Sequence, residues 1–156
     1  IVCTGPFDGS ADPSVNKEDF LFGISKSMKF LCANPDIVVD RGEVRQWCAG
    51  ALAKMYTEMG GESLYFGKPH NAIYDLARMR LAELGAPIDS KKILAIGDGI
   101  GTDIKGANSQ EIDSLFVTGG LAAKETQTSY SPNPEALEKY ITKQKVQCTY
   151  SIGYLR

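Results

Sequence analysis

Lys68, Asp98 and Asp103 are the residues of this chain whose types suit work on a phosphate. Lys68 lies in Gly67-Lys68-Pro69-His70, and the two acids lie in Ile93-Leu94-Ala95-Ile96-Gly97-Asp98-Gly99-Ile100-Gly101-Thr102-Asp103-Ile104. A carboxylate directly after an apolar strand can hold a hard cation. Magnesium needs few such ligands, because it keeps several waters and takes phosphate oxygens for the rest. Asp103 stands near enough to orient that ion or its water. A lysine ammonium is a compact point charge that offsets a phosphate or a nucleophilic carboxylate. This is half of a site for magnesium-assisted phosphoryl transfer. The other half, a nucleophilic Asp on its own strand, is not found among the 156 residues.

Simpler readings compete. A Gly-Asp-Gly loop after a strand is often only a turn, and a lysine at a helix start is often only solvated. The order of the two motifs, at successive strand ends, favours function, since ligands of open α/β sheets gather beyond the carboxyl ends of the strands. A dinucleotide fingerprint is excluded. Started at Gly97 its third glycine falls on Thr102, and started at Gly99 it falls on Ile104. His70, the sole histidine, has no Ser or Cys at a recognisable spacing, so it reads as structural or as an edge of the substrate site.

The elements that must carry these residues alternate between strand and helix. Ile1 to Gly5 reads as a buried strand, and Asp8 to Ser14 as a loop rich in Gly, Asp, Pro and Ser. A helix with Phe20 and Ile24 inward follows. Lys29 to Ala33 is a second buried strand; Asn34-Pro35-Asp36 breaks it and Ile37 to Asp40 resumes it. Cys48, Ala51, Leu52, Met55, Tyr56 and Met59 form one apolar helix face, stopped by Gly60-Gly61. Ser63 to Phe66 is a strand that enters the Lys68 loop. A helix over 71–84 is expected to turn Ile73, Leu76, Ala77, Leu81 and Leu84 inward. Strand 91–96, a short helix 103–109 and strand 114–118 come next. Asn133-Pro134-Glu135 is a helix start, with a capping side chain, proline in the first turn and an acid near the positive end of the dipole. That helix runs to about Lys145, and Cys148 to Ile152 suits a last strand. The pattern predicts an α/β fold, parallel sheet with helices packed on it, and a boundary near Gly61.

Composition narrows the partners. Apolar residues make up 43% and charged residues 23%, as in globular domains, and the net charge is -2. No Lys/Arg run marks a nucleic-acid surface, and no apolar stretch approaches a membrane span. Cys3, Cys32, Cys48 and Cys148 are widely spaced without a Cys-x-x-Cys pair. They read as reduced thiols, and the expected location is cytoplasmic. The chain opens inside a strand, without Met or a polar lead-in, which makes it look like a fragment.

Taken as an ordered set, Cys32-Ala33-Asn34-Pro35-Asp36, Ala49-Gly50-Ala51, Gly67-Lys68-Pro69 and Gly97-Asp98-x-x-x-Thr102-Asp103-Ile104 carry a resemblance. Residues 1 to about 124 resemble the haloacid dehalogenase (HAD) superfamily, class IIA, the branch of NagD-like and para-nitrophenyl phosphatases. The resemblance implies a Rossmannoid core, a parallel sheet with helices on both faces, and a mobile α/β cap. Residues 1–61 would be the later part of that cap and 62–156 the carboxyl-terminal half of the core. It implies Lys68 as the catalytic lysine, Asp98 as the Mg2+ ligand and Asp103 as the acid supporting it. Asn34, Asp36 and Gly67 would face substrate, a small phosphorylated metabolite, hydrolysed through an aspartyl-phosphate.

One departure from the family pattern is large. The first motif, Asp-x-Asp-Gly-Thr/Ser with the nucleophile, and the second, a strand-end Ser or Thr, would both precede residue 1. Phe7-Asp8-Gly9-Ser10 imitates the first, but Pro6 occupies the nucleophile's place and has no nucleophilic group. Two readings follow. One is the carboxyl-terminal part of a magnesium-dependent phosphatase, inactive alone and partnered by its own amino-terminal half or by a second copy. The other is a non-catalytic binding or scaffolding relative. A nucleotide-binding regulator ranks behind both.

Overall fold

The computed structural model describes residues 1–85 and 88–155. Their packing falls into two compact units, Ile1–Lys68 and Pro69–Arg156.

In the first unit, β1 (Val2–Cys3), β2 (Lys29–Cys32) and β5 (Glu62–Tyr65) form a parallel sheet in the order β1-β2-β5. Val2, Leu31 and Leu64 stand in register, as do Cys3, Cys32 and Tyr65. Side chains alternate across a strand, so Phe30 and Cys32 share one face. That face is covered by α1 (Lys17–Ser25) and α2 (Ala49–Glu58), which deliver Phe20, Leu52 and Tyr56. The rings of Phe20, Phe30 and Tyr56 meet at centroid distances of 5.3–5.8 Å, two of the three pairs edge-to-face. Tyr56 is fully buried, and its hydroxyl donates to the Met28 carbonyl at 2.5 Å, so burial leaves no polar atom unpaired.

Residues 37–40 do not resume β2. Val38–Arg41 is β3 and pairs antiparallel with β4 (Val44–Trp47) in a separate hairpin. The two-residue link Gly42-Glu43 makes the difference. Gly42 has φ +62°, which the tight connection between twisted strands requires and only glycine adopts cheaply. The sequence pattern had offered no strand at 44–47.

β5 ends the first unit instead of opening the second. Its hydrogen bonds run to β2, so the chain divides after Lys68 and not near Gly61. The glycine pair at 60–61 ends α2, with Gly60 at φ +98°, and marks a turn within one sheet-and-helix layer.

The second unit contains α3 (Asn71–Leu84), β6 (Leu94–Gly97), α4 (Lys105–Ser109), β7 (Asp113–Val117), α5 (Pro134–Gln144) and β8 (Tyr150–Ile152). Its parallel sheet has the order β6-β7-β8. Phe116 is fully buried, in a cluster with Ile104 and Ala122 that half-buried Leu137 and Tyr140 of α5 join. The capping reading at Asn133 holds, since its side-chain oxygen accepts the Ala136 N–H at 3.0 Å.

The stripe expected to turn inward from α3 does not. Ile73, Leu76 and Leu84 are exposed, Leu84 by 86%, Ala77 is exposed too, and Leu81 is half-buried. Leu94, Ile96 and Tyr150 of the sheet are exposed as well. The spacing gave the helix correctly. Its apolar side has no covering layer among the described residues, which periodicity cannot report.

All four cysteines are free thiols, and Cys3, Cys32 and Cys48 are buried. Among the described residues no helix is long and apolar enough to cross a membrane.

Candidate active site

In the first unit the relevant loops leave the carboxyl ends of β2 and β5. Asn34-Pro35-Asp36 follows β2, and the amino end of α2 seats directly on it. Gly50 N–H donates to the Asp36 carbonyl at 3.1 Å, and Cys48 N–H to the Ile37 carbonyl at 2.9 Å. The second loop is tied to the first. Phe66 N–H donates to the Cys32 carbonyl at 2.8 Å, and Gly67 then turns at φ +129° against the Pro35 ring, where a Cβ would come within 2.5 Å of Pro35 Cδ. Only glycine suits both that backbone and that distance. Asn34, Asp36, Gly67 and Lys68 are therefore held at one end of one sheet.

Two of these residues bear on Cys48, whose thiol is pushed up chiefly by burial, further by the Asp36 carboxylate, and drawn back by Arg41 and by the Asn34 side chain. Asn34 is held through its backbone, where its carbonyl accepts the Cys32 thiol at 3.4 Å.

In the second unit Asp98 follows β6. Its Oδ2 accepts the Leu121 N–H at 3.3 Å, from the loop beyond β7. Residues Ile100–Ile104 make one π-helical turn that runs into α4, with the N–H groups of Asp103 and Ile104 both reaching the Gly99 carbonyl. This turn folds Asp103 back so that its Oδ2 accepts the buried Gly99 N–H at 3.0 Å. Gly97 permits the approach, since a Cβ there would lie 2.2 Å from Asp103 Cγ. Asp98 and Asp103 are half-buried, each with one oxygen engaged by a backbone amide. This suits magnesium, which binds through one or two acids together with water and phosphate oxygens. It is not a closed protein cage: no group of three or more His, Cys, Asp or Glu able to hold a metal occurs among the described residues.

Sequence reasoning missed the Leu121 anchor. The loop bearing it is secured by hydroxyls: Thr126 donates to the Ala122 carbonyl and lies 2.7 Å from the Thr128 hydroxyl, which donates to Thr118, which donates to the Ile152 carbonyl. Thr118-Gly119-Gly120 after a strand was the available signal. His70 sits before α3, its pKa lowered by burial and then by the Lys105 ammonium, which suits a neutral imidazole more than a cation.

The HAD-hydrolase-like family matches residues 65–143, across the Lys68 loop, both acids and most of α5. The chain belongs to this HAD-like hydrolase family. A haloacid dehalogenase-like hydrolase of Brucella suis superposes over 99% of this chain and 55% of its own, with 35% identity and a TM-score of 0.79. A p-nitrophenyl phosphatase of Archaeoglobus fulgidus covers 97% of this chain and 52% of its own, with 17% identity and a TM-score of 0.67, and shares the fold. A Schizosaccharomyces pombe cardiolipin synthase (CMP-forming) / mitochondrial hydrolase fusion protein is 31% identical over 88 residues, 54% of this chain and 15% of that protein. The chain spans about half the length of the solved HAD-like structures it matches. The parallel sheets flanked by helices are the HAD-like Rossmannoid architecture.

Proposed function

We propose that this chain supplies the lysine and metal-binding part of a magnesium-dependent HAD-type phosphatase acting on small phosphomonoesters. In this reading residues Ile1–Lys68 belong to the cap and the second unit to the core, and an aspartyl-phosphate forms on an Asp outside these 156 residues. The observation that carries the reading is the paired acids beyond β6, Asp98 held by the Leu121 amide and Asp103 by the Gly99 amide.

Each residue has a distinct part. Asp98 offers its remaining oxygen as the ligand, and Asp103 keeps the Gly97–Gly99 backbone fixed around it. Lys68 presents a positive charge to the phosphoryl oxygens, where preorganised charge does most of the work. When bound, Mg2+ would neutralise charge building on the transferring group. Asn34 and Asp36 orient the leaving group, and Gly67 lets the backbone pass close to it.

The test is hydrolysis of para-nitrophenyl phosphate as magnesium is titrated. It compares the 156-residue chain with a version carrying the upstream residues of its reading frame. Turnover by the longer protein alone, lowered about 10²-fold or more by Asp98→Asn, is the expected result. No turnover in either folded protein would leave a binding or scaffolding role in its place. Turnover by the short chain would overturn the placement of the nucleophile outside it.

A further inference from the structure

The hairpin β3-β4, absent from the sequence reading, walls a cavity of about 350 Å³ in the first unit. One side is the loop after β1, from Thr4 to Gly9; the other is the hairpin, with Arg41, Gln46 and Trp47; Asn34 and Cys48 also line it. The walls are bonded together, since Trp47 N–H donates to the Gly9 carbonyl at 2.7 Å. The volume lies in the range of small-ligand sites.

The charges in and beside the cavity differ in how far they are committed. Asp40, next to Arg41 in sequence but not a lining residue, is taken by Arg45 through two hydrogen bonds of 2.8 and 3.0 Å. Asp8 lines the cavity, but one of its oxygens already accepts both the N–H and the hydroxyl of Ser10. Arg41 makes no ion pair among the described residues, although it lies near enough to Cys48 to affect that thiol. An arginine fork without a carboxylate, beside an indole and two amide side chains, is a receptor for a planar oxyanion on a polar molecule.

Position connects this cavity to Lys68. Asn34 begins the loop on which Gly67 packs through Pro35, so the cavity and the Lys68 loop leave the same end of the β1-β2-β5 sheet. We propose that this cavity receives the leaving-group half of the substrate, and that the substrate carries a second oxyanion, a carboxylate or second phosphate, which Arg41 binds. Trp47 flanks its carbon skeleton, and Gln46 and Asn34 hydrogen-bond its hydroxyls. This deepens the phosphatase reading and rests on it for the role of Lys68.

Trp47 is the only tryptophan, so its fluorescence reports occupancy without any need for turnover. The probes are 3-phosphoglycerate and glycerol 3-phosphate, which differ by a carboxylate in place of a hydroxymethyl group, together with glycerate and inorganic phosphate. The expected result is half-saturation by 3-phosphoglycerate at about tenfold lower concentration than by glycerol 3-phosphate, the worth of one charge-assisted hydrogen bond. Arg41→Gln should bring the two curves together, and Arg41→Lys should restore part of the gap. Arg41 is exposed, so circular dichroism of these variants should match the parent. Equal curves in the parent, no fluorescence change with any probe, or a preference that survives Arg41→Gln would each overturn the proposal. An Arg41-dependent response to glycerate, in a protein whose longer form hydrolyses no phosphate ester, would keep the cavity and discard the phosphatase.

Discussion

Asp103 accepts the backbone N–H of Gly99 at 3.0 Å, so the side chain that closes the π-turn also fixes the loop that begins it. Gly99 is buried, and removing its acceptor leaves a donor with no water to replace it. Asp103→Ala should therefore lower unfolding stability by about 1–3 kcal/mol. Asp103→Asn keeps an acceptor and should cost less than about 1 kcal/mol. Urea denaturation of both variants decides the matter. Equal losses would mean that the hydrogen bond is not what holds the loop.

Gly97 makes the complementary case. A methyl group there meets Asp103 Cγ at 2.2 Å, and Asp103 cannot retreat without surrendering Gly99. Gly97→Ala should destabilise by about 1–3 kcal/mol, as overpacking does. Combined with Asp103→Ala it should cost less than the sum of the two single changes, because Cγ and Oδ2 leave the clash and only the contact with the residue 103 Cβ, at 2.5 Å, remains. A double-mutant cycle that comes out additive would rule out this contact as the cause.

These loops show where sequence reasoning succeeds and where it stops. That Lys68 and Asp98 lie just beyond strands was legible, because each follows an apolar run, and strand ends are where α/β folds place polar chemistry. The Asn133 cap and the α2 face were legible because their signals are local. The hairpin at Arg41 and Val44 was not, since Ile37 to Asp40 reads equally well as a buried strand and only the Gly42-Glu43 link separates the two. Leu121 was signalled only indirectly, by Thr118-Gly119-Gly120 before it. Its contribution is a backbone amide, and no residue type announces that. The boundary after Lys68 depended on which sheet β5 joins, a non-local pairing that no spacing encodes.

Tyr56 ties the first unit's core to its backbone. Its ring packs between Phe20 and Phe30 with no solvent exposure, and its hydroxyl serves the Met28 carbonyl. Tyr56→Phe removes only the hydrogen bond and should cost about 1–2 kcal/mol. Tyr56→Ala empties the aromatic cluster and should cost about 3–5 kcal/mol. Thermal melts followed by circular dichroism would separate the two. Matching losses would mean that packing of the ring contributes little.

Burial raises the thiols of Cys3, Cys32 and Cys48, with Cys32 pushed up to about 11. At pH 8 the folded chain should resist an aromatic disulfide reagent at all three, whereas in urea all four cysteines should react within minutes. The same shift predicts that stability falls as pH rises from the ordinary thiol value of 9.0 towards about 11, because only the unfolded chain ionises Cys32 freely there. Rapid labelling of Cys32 in the native protein would contradict both statements.

His70 sets the opposite slope on the acid side. Burial and the Lys105 ammonium lower its pKa below the ordinary 6.5, so the unfolded chain takes up the proton first. Stability should be at its full value above that pH and decline as pH falls through 6.5 towards the native value. His70→Gln should flatten the dependence between pH 7.5 and 5.5. Lys105→Gln should shift the imidazole titration upward, as followed by NMR of the sole histidine. Carboxylates held low by hydrogen bonds or a guanidinium, such as Asp8, Asp12 and Asp40, act only at lower pH, below their ordinary value of 3.8. The histidine window therefore stands clear of theirs. A slope in that window that persists in His70→Gln would assign the effect to another group.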